Sequence, residues 1–147
     1  MQIKCKINGE LCSFESEPQK RMLDVLREHG MHSVKEGCGE GECGACTVYL
    51  NGKLVNACLL LAPQMHEAEI VTLEGLKEET QTLRQNFVEA GAIQCGFCTS
   101  GFILRAHEYI RHDGSGEINH IKASLDGNLC RCTGYQKIAE AIKKSVS

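Results

Sequence analysis

Cys38, Cys43 and Cys46 are spaced C-x4-C-x2-C, and Cys58 follows after eleven more residues. Four thiolates in this pattern hold a plant-type [2Fe-2S] cluster. Gly37, Gly39, Gly41 and Gly44 alternate with the first three cysteines. A loop that wraps a cluster needs positive φ values and close backbone approach, so that N–H groups can point at sulfur. A second set comprises Cys95 and Cys98, spaced C-x2-C, with Cys130 and Cys132, spaced C-x-C. Four thiolates are also the ligands of a structural zinc knot, and that alternative stands beside a second [2Fe-2S] cluster, although C-x-C is not the usual zinc spacing. Cys5 and Cys12 belong to neither set and are expected to be small buried hydrophobes in the first hairpin.

Gly39, Gly41 and Gly44 also spell G-x-G-x-x-G, which marks a dinucleotide site when it follows a strand and opens a helix. His32 to Glu36 does not read as a buried strand, no helix is expected at Gly44, and the interleaved cysteines account for the glycines. The dinucleotide reading is set aside. Ten cysteines in 147 residues are metal ligands rather than a disulfide framework in a reducing compartment. With eight thiolates available, His107 and His112 are not needed as ligands. A formal net charge of -3 with scattered Lys and Arg provides no basic stripe for nucleic acid. Tryptophan is absent and aromatics are few, so a substrate pocket walled by aromatic rings is not expected. Met1 to Ile7 alternates apolar and polar residues with no signal-peptide pattern, and no apolar run approaches the roughly 20 residues that span a bilayer. The expected location is the cytoplasm.

The elements that would position the thiols follow from periodicity. Ile3, Cys5 and Ile7 alternate with lysines, Asn8-Gly9 supplies a tight turn, and Leu11 to Phe14 returns as a second strand. Pro18 suits a helix start, Met22, Leu23, Val25 and Leu26 form its apolar face, and Gly30 suits its end. Thr47 to Leu50, Asn51-Gly52 and Leu54 to Cys58 read as another hairpin, with Ile70 to Leu73 as one more strand. The order β, β, α, β, β, β predicts a compact α+β sheet with one covering helix. Lys77-Glu78-Glu79 reads as a solvated linker. Beyond it the period becomes helical: Leu83, Phe87 and Val88; Phe102, Ile103, Ala106, Tyr109 and Ile110; Ile118, Ile121 and Leu125; then Ile138, Ala141 and Ile142, with Lys143 and Lys144 suited to the last helix dipole. Four short helices make a minimal bundle in which both cysteine loops lie at one end and each leads into a helix N-terminus. The predicted division is 1–76 and 77–147.

Three stretches carry a family resemblance: Glu36-Gly37-Cys38 through Cys46-Thr47, Gln94 through Thr99, and Gly127 through Tyr135. Together they resemble the small iron–sulfur subunit of the molybdenum hydroxylases, the xanthine dehydrogenase and carbon monoxide dehydrogenase family. The resemblance implies a β-grasp [2Fe-2S] ferredoxin domain followed by an all-α four-helix [2Fe-2S] domain. It also implies an electron-transfer role without substrate chemistry on this chain. Electrons from the molybdenum-pterin cofactor of a large subunit would reach Cys95, Cys98, Cys130 and Cys132 first. Cys38, Cys43, Cys46 and Cys58 would pass them on to FAD, expected on a medium subunit, or to another acceptor, in a complex expected to be a dimer of heterotrimers. Gln94 and Cys132 match positions that approach the pterin, while the bland reading of Gln94 is a solvated loop residue. The family commonly has proline where this chain has Ser100, a change a helix's first turn accepts. The expected substrate of the complex is a purine or related N-heterocycle, with nicotinate, an aldehyde or carbon monoxide as alternatives. A zinc-stabilised interaction module and a free-standing ferredoxin are the competing classes; the helical half argues against the latter.

Overall fold

The structure, a computed structural model, describes residues 1–146. Strand β1 (Gln2–Ile7) buries Ile3, Cys5 and Ile7 and turns Gln2, Lys4 and Lys6 outward, the alternation of a strand with one face on a core. Asn8 and Gly9, with φ of 51° and 84°, make the turn into β2 (Glu10–Glu15); positive φ at both positions suits the twist of a hairpin. Cys5 stands directly opposite Cys12 across it. A second hairpin joins β3 (Thr47–Leu50) to β4 (Lys53–Asn56), and β5 (Glu69–Val71) completes a sheet of order β2-β1-β5-β3-β4, in which β1 and β5 are parallel and the other pairs antiparallel.

Helix α1 (Met22–Glu28) lays Met22, Leu23, Val25 and Leu26 on the sheet against Ile3 and Ile70. It begins at Met22, not near Pro18. Arg21 is held in an extended conformation by a bridge to Leu61, and its guanidinium binds both Asp24 and Glu36 at 2.8 Å. Strand β4 also ends earlier than the sequence suggests. Cys58 sits in a 3-10 turn (Ala57–Leu59) that Ala57 ties to the Cys46 carbonyl at 3.2 Å.

The second half contains α2 (Gln81–Glu89), α3 (Thr99–His112), α4 (Ile118–Ser124) and α5 (Gln136–Val146), packed around Phe87, Phe102, Ile103, Ile121, Ile138 and Ile142. Val88 does not share the buried face of Leu83 and Phe87: it is 67% exposed. Successive helical residues point about 100° apart, so a stripe through positions 83 and 87 turns position 88 toward solvent. Lys77, Glu78 and Glu79 are all exposed, as expected of a solvated linker, and the segment is also tied down at both ends. The Lys77 carbonyl accepts from Arg84 at 2.5 Å, and Glu79 reaches His107 Nε2 at 3.1 Å. The other ring nitrogen of His107 meets the Tyr49 hydroxyl at 2.8 Å, and both residues are buried. This bond, a small apolar contact of Tyr49 with Leu76 and Leu104, and a 2.7 Å bond from Ser100 Oγ to the Ser33 carbonyl join sheet to helices. Among the described residues, no helix is long and apolar enough to cross a membrane.

Candidate metal centres

The loop before β3 folds around its own sulfurs. Cys38 Sγ accepts backbone N–H bonds from Glu42 at 3.2 Å and from Glu40 and Cys43 at 3.4 Å. These bonds push the Cys38 thiol down to about 7. Cys43 Sγ accepts from the amides of Cys38 at 3.4 Å and Ala45 at 3.5 Å. A Cβ on Gly37 would come within 2.7 Å of that sulfur, so the backbone there must be bare. Cys46 and Cys58 lie deeper, 3% and 7% exposed, within the core cluster under the sheet. Burial pushes the Cys46 thiol up to about 12. Cys38 thus ionises readily, whereas Cys46 becomes a thiolate only when a metal displaces its proton.

The second set gathers at one end of the helices. Cys95 and Cys98 lie in the loop before α3, with Cys98 at its N-cap, and Cys130 and Cys132 lie between α4 and α5. Cys132 Sγ is 3.7 Å from Cys95 Sγ, and both residues are exposed. Cys98 and Cys130 form a deeper pair, both half-buried against the helical core. Burial pushes Cys98 up to about 12. Burial also acts upward on Cys130, but the Thr133 hydroxyl at 3.1 Å and amide at 3.4 Å outweigh it and hold that thiol below its ordinary value. Tyr135 takes φ of 73°, uncommon for a residue with a side chain. Its hydroxyl accepts the Cys130 N–H at 3.1 Å and its N–H meets Thr133 Oγ1 at 3.3 Å, which fixes the corner around the sulfur.

Both sets therefore contain two thiol pairs, one shallow and one deep. Soft thiolates with amide and hydroxyl donors at sulfur suit an iron–sulfur cluster, whose two irons each take two cysteines. The two loops also meet: Leu129 N–H donates to the Cys43 carbonyl at 2.9 Å, and Asn128 Nδ2 to the Gly44 carbonyl at 3.2 Å. A groove of about 310 Å³ runs between them, with Gly37, Cys43 and Ala45 on one wall and Cys95, Cys98, Cys130 and Cys132 among the residues on the other. Gln94 is exposed beside Cys95. Cys5 is buried and Cys12 half-buried against the sheet core, apart from both sets. Sequence reasoning did not assign roles to Thr133, Tyr135 or Asn128. Their proximity to Cys130 was the available signal, and their hydrogen bonds depend on the folded corner.

Residues 5–76 match a family described as a 2Fe-2S iron–sulfur cluster binding domain, and residues 72–143 one described as a [2Fe-2S] binding domain. The chain is 50% identical over 147 residues to the nicotinate dehydrogenase small FeS subunit of Eubacterium barkeri, covering 98% of this chain and 94% of the relative. It is 41% identical over 144 residues to the xanthine dehydrogenase iron–sulfur-binding subunit of Escherichia coli O157:H7, covering 95% and 91%. Among solved structures, quinoline 2-oxidoreductase from Pseudomonas putida 86 superposes with a TM-score of 0.93 at 37% identity, covering 99% of this chain and 92% of that one.

Proposed function

We propose a relay function on one premise: this chain belongs to the small [2Fe-2S] iron–sulfur subunits of the molybdenum hydroxylase family, the xanthine dehydrogenase and carbon monoxide dehydrogenase group. Its relatives are subunits of dehydrogenase complexes, and it is itself part of an oxidoreductase. The match of both halves to [2Fe-2S] domains removes the reason for the zinc alternative. The observation that carries the reading further is the division of each cysteine set into two thiol pairs. Cys38 with Cys43 and Cys46 with Cys58 would each hold one iron of a first cluster. Cys95 with Cys132 and Cys98 with Cys130 would do the same for a second. When bound, each cluster supplies a one-electron carrier. The protein's part is to orient the thiolates, donate hydrogen bonds to them and keep the deeper pairs dry, which together set the potential.

In this reading residues 1–76 form a β-grasp domain and residues 77–147 a four-helix domain. The exposed edge at Cys95 and Cys132 faces a large subunit with the molybdenum cofactor, and Gln94 and Cys132 contact its pterin. The sheet-side set passes electrons to FAD on a medium subunit, within a dimer of heterotrimers. Similarity to the nicotinate and xanthine enzymes favours an N-heterocycle as the substrate of the complex. The test is iron content and low-temperature EPR of the anaerobically purified, dithionite-reduced complex. About four irons per chain and two distinct rhombic signals are expected. Cys130→Ser should halve the iron and remove one signal; retention of both signals and all the iron would defeat the ligand assignment. Addition of nicotinate, xanthine or an aldehyde to the oxidised complex should bleach its visible absorption only for the true substrate class.

A further inference from the structure

We infer that the seam between Cys43 and Leu129 is the electron-conducting contact between the two thiol sets, and that Asn128 and Gly101 are positioning residues that hold it closed. The inference rests on the two-cluster reading above and adds the route between the clusters. Cys43 carries a thiol of the sheet-side set, and its own carbonyl accepts the Leu129 N–H at 2.9 Å. Leu129 is bonded directly to Cys130, which carries a thiol of the helical set. From one sulfur to the other the path runs through covalent bonds, interrupted by that single hydrogen bond. One electron crosses, lost by the centre on one side and gained by the centre on the other, with no bond formed or broken and no proton transferred.

The surroundings keep this contact tight. Asn128 is 3% exposed and uses both ends of its amide, donating to the Gly44 carbonyl at 3.2 Å and accepting from Arg105 Nε at 3.1 Å. A Cβ on Gly101 would stand 2.3 Å from the Gly44 carbonyl oxygen and 2.9 Å from Asn128 Nδ2. A Cβ on Gly44, whose φ is +74°, would stand 2.4 Å from the Gly127 carbonyl oxygen. Glycine is therefore required on both sides of the seam, because backbone meets backbone there. Two further hydrogen bonds between the halves, Tyr49 to His107 and Ser100 to Ser33, involve no cysteine.

The test uses the reduced whole complex with three variants. Gly101→Ala wedges the seam open, Asn128→Asp keeps the side-chain shape but removes the donor to Gly44, and Tyr49→Phe cuts a tie away from the seam. Three quantities are read: the intensity of each cluster's EPR signal, the magnetic splitting that each reduced cluster imposes on the other, and the rate of electron exchange between them after rapid partial reduction. Both seam variants should keep both signals at full intensity, lose part of the mutual splitting and slow exchange severalfold. Tyr49→Phe should leave splitting and rate unchanged. In amide hydrogen exchange, the Leu129 N–H should be protected in the unsubstituted chain and lose protection in Asn128→Asp. Should a seam variant fail to retain its clusters, replacing Leu129 by its α-hydroxy acid removes only the bridging N–H and must slow exchange. Unchanged splitting and rate with the seam opened would overturn the route. A single signal in the unsubstituted complex would instead overturn the two-cluster reading.

Discussion

Tyr49→Phe should weaken the union of sheet and helices without disturbing either thiol set. The change removes one oxygen and keeps the ring in contact with Leu76 and Leu104. It deletes the 2.8 Å bond to His107 Nδ1 and leaves that nitrogen without its partner in a site where Tyr49 is 3% and His107 8% exposed. An unsatisfied buried polar group costs about 1–3 kcal/mol. The bond from His107 Nε2 to Glu79 persists, because that carboxylate is largely exposed and needs no help from Tyr49. In a chain of this size each kcal/mol lowers the midpoint by about 2–4 °C, so calorimetry should register a drop of a few degrees or more. Urea titrations of Tyr49→Phe, His107→Ala and the double variant should give a coupling energy of about 0.5–3 kcal/mol. A Tyr49→Phe change within about 0.5 kcal/mol of the unsubstituted chain, the range of an ordinary surface substitution, would refute the claim that this bond supports the junction.

Phe87→Ala should cost about 3–5 kcal/mol in urea unfolding, because Phe87 is fully buried, while Val88→Lys next to it should stay within about 0.5 kcal/mol. Glu74 accepts bonds from the Ser33 amide at 3.0 Å, the Ser33 hydroxyl and Thr72 Oγ1 at 2.9 Å. Burial alone would push its carboxyl up, but these bonds outweigh burial and hold it below the ordinary value. Its contribution is then present above the unfolded carboxyl's pKa and lost as pH falls through the lower folded one. Glu74→Gln should accordingly flatten the acid limb of a plot of urea midpoint against pH; an unchanged limb would count against it. Removing iron with a chelator should lower the melting temperature, since metal binding to thiolates that the unfolded chain does not arrange is also folding free energy. An apo chain that melted with the holo chain would contradict this.

The sequence made the chemistry more legible than the geometry that supports it. Cysteine spacing and the two Asn-Gly turns are local signals, and they located the loop and both hairpins; the order of strands in the sheet, with β5 between β1 and β3, came only with the structure. The start of α1 was misjudged because Pro18 is a local cue, whereas Arg21 is fixed by Leu61, forty residues on. Val88 was assigned inward because apolar type outweighed helical phase. Gly101 reads as a weakness within a helix until Gly44 is seen against it, and Asn128 reads as a turn residue until its bond to Gly44 is found, 84 positions away. His107 looked ordinary for the same reason: its partners lie on β3 and before α2. Such contacts leave no periodic trace in a single sequence.

Each thiol set has a shallow rim and a deep floor. Cys95 and Cys132 are open to solvent, but Cys46, just before β3, and Cys58, in the 3-10 turn that follows β4, are buried. With those two thiols only 3% and 7% exposed, filling the sheet-side set calls for the loop before β3 to open, at a free-energy cost set by its local stability rather than by that of the whole chain. Four bonds to metal would then pin that loop from within, so filling would add to the stability of this half. The helical set, with two thiols at the surface, can begin to fill on a chain that is already folded.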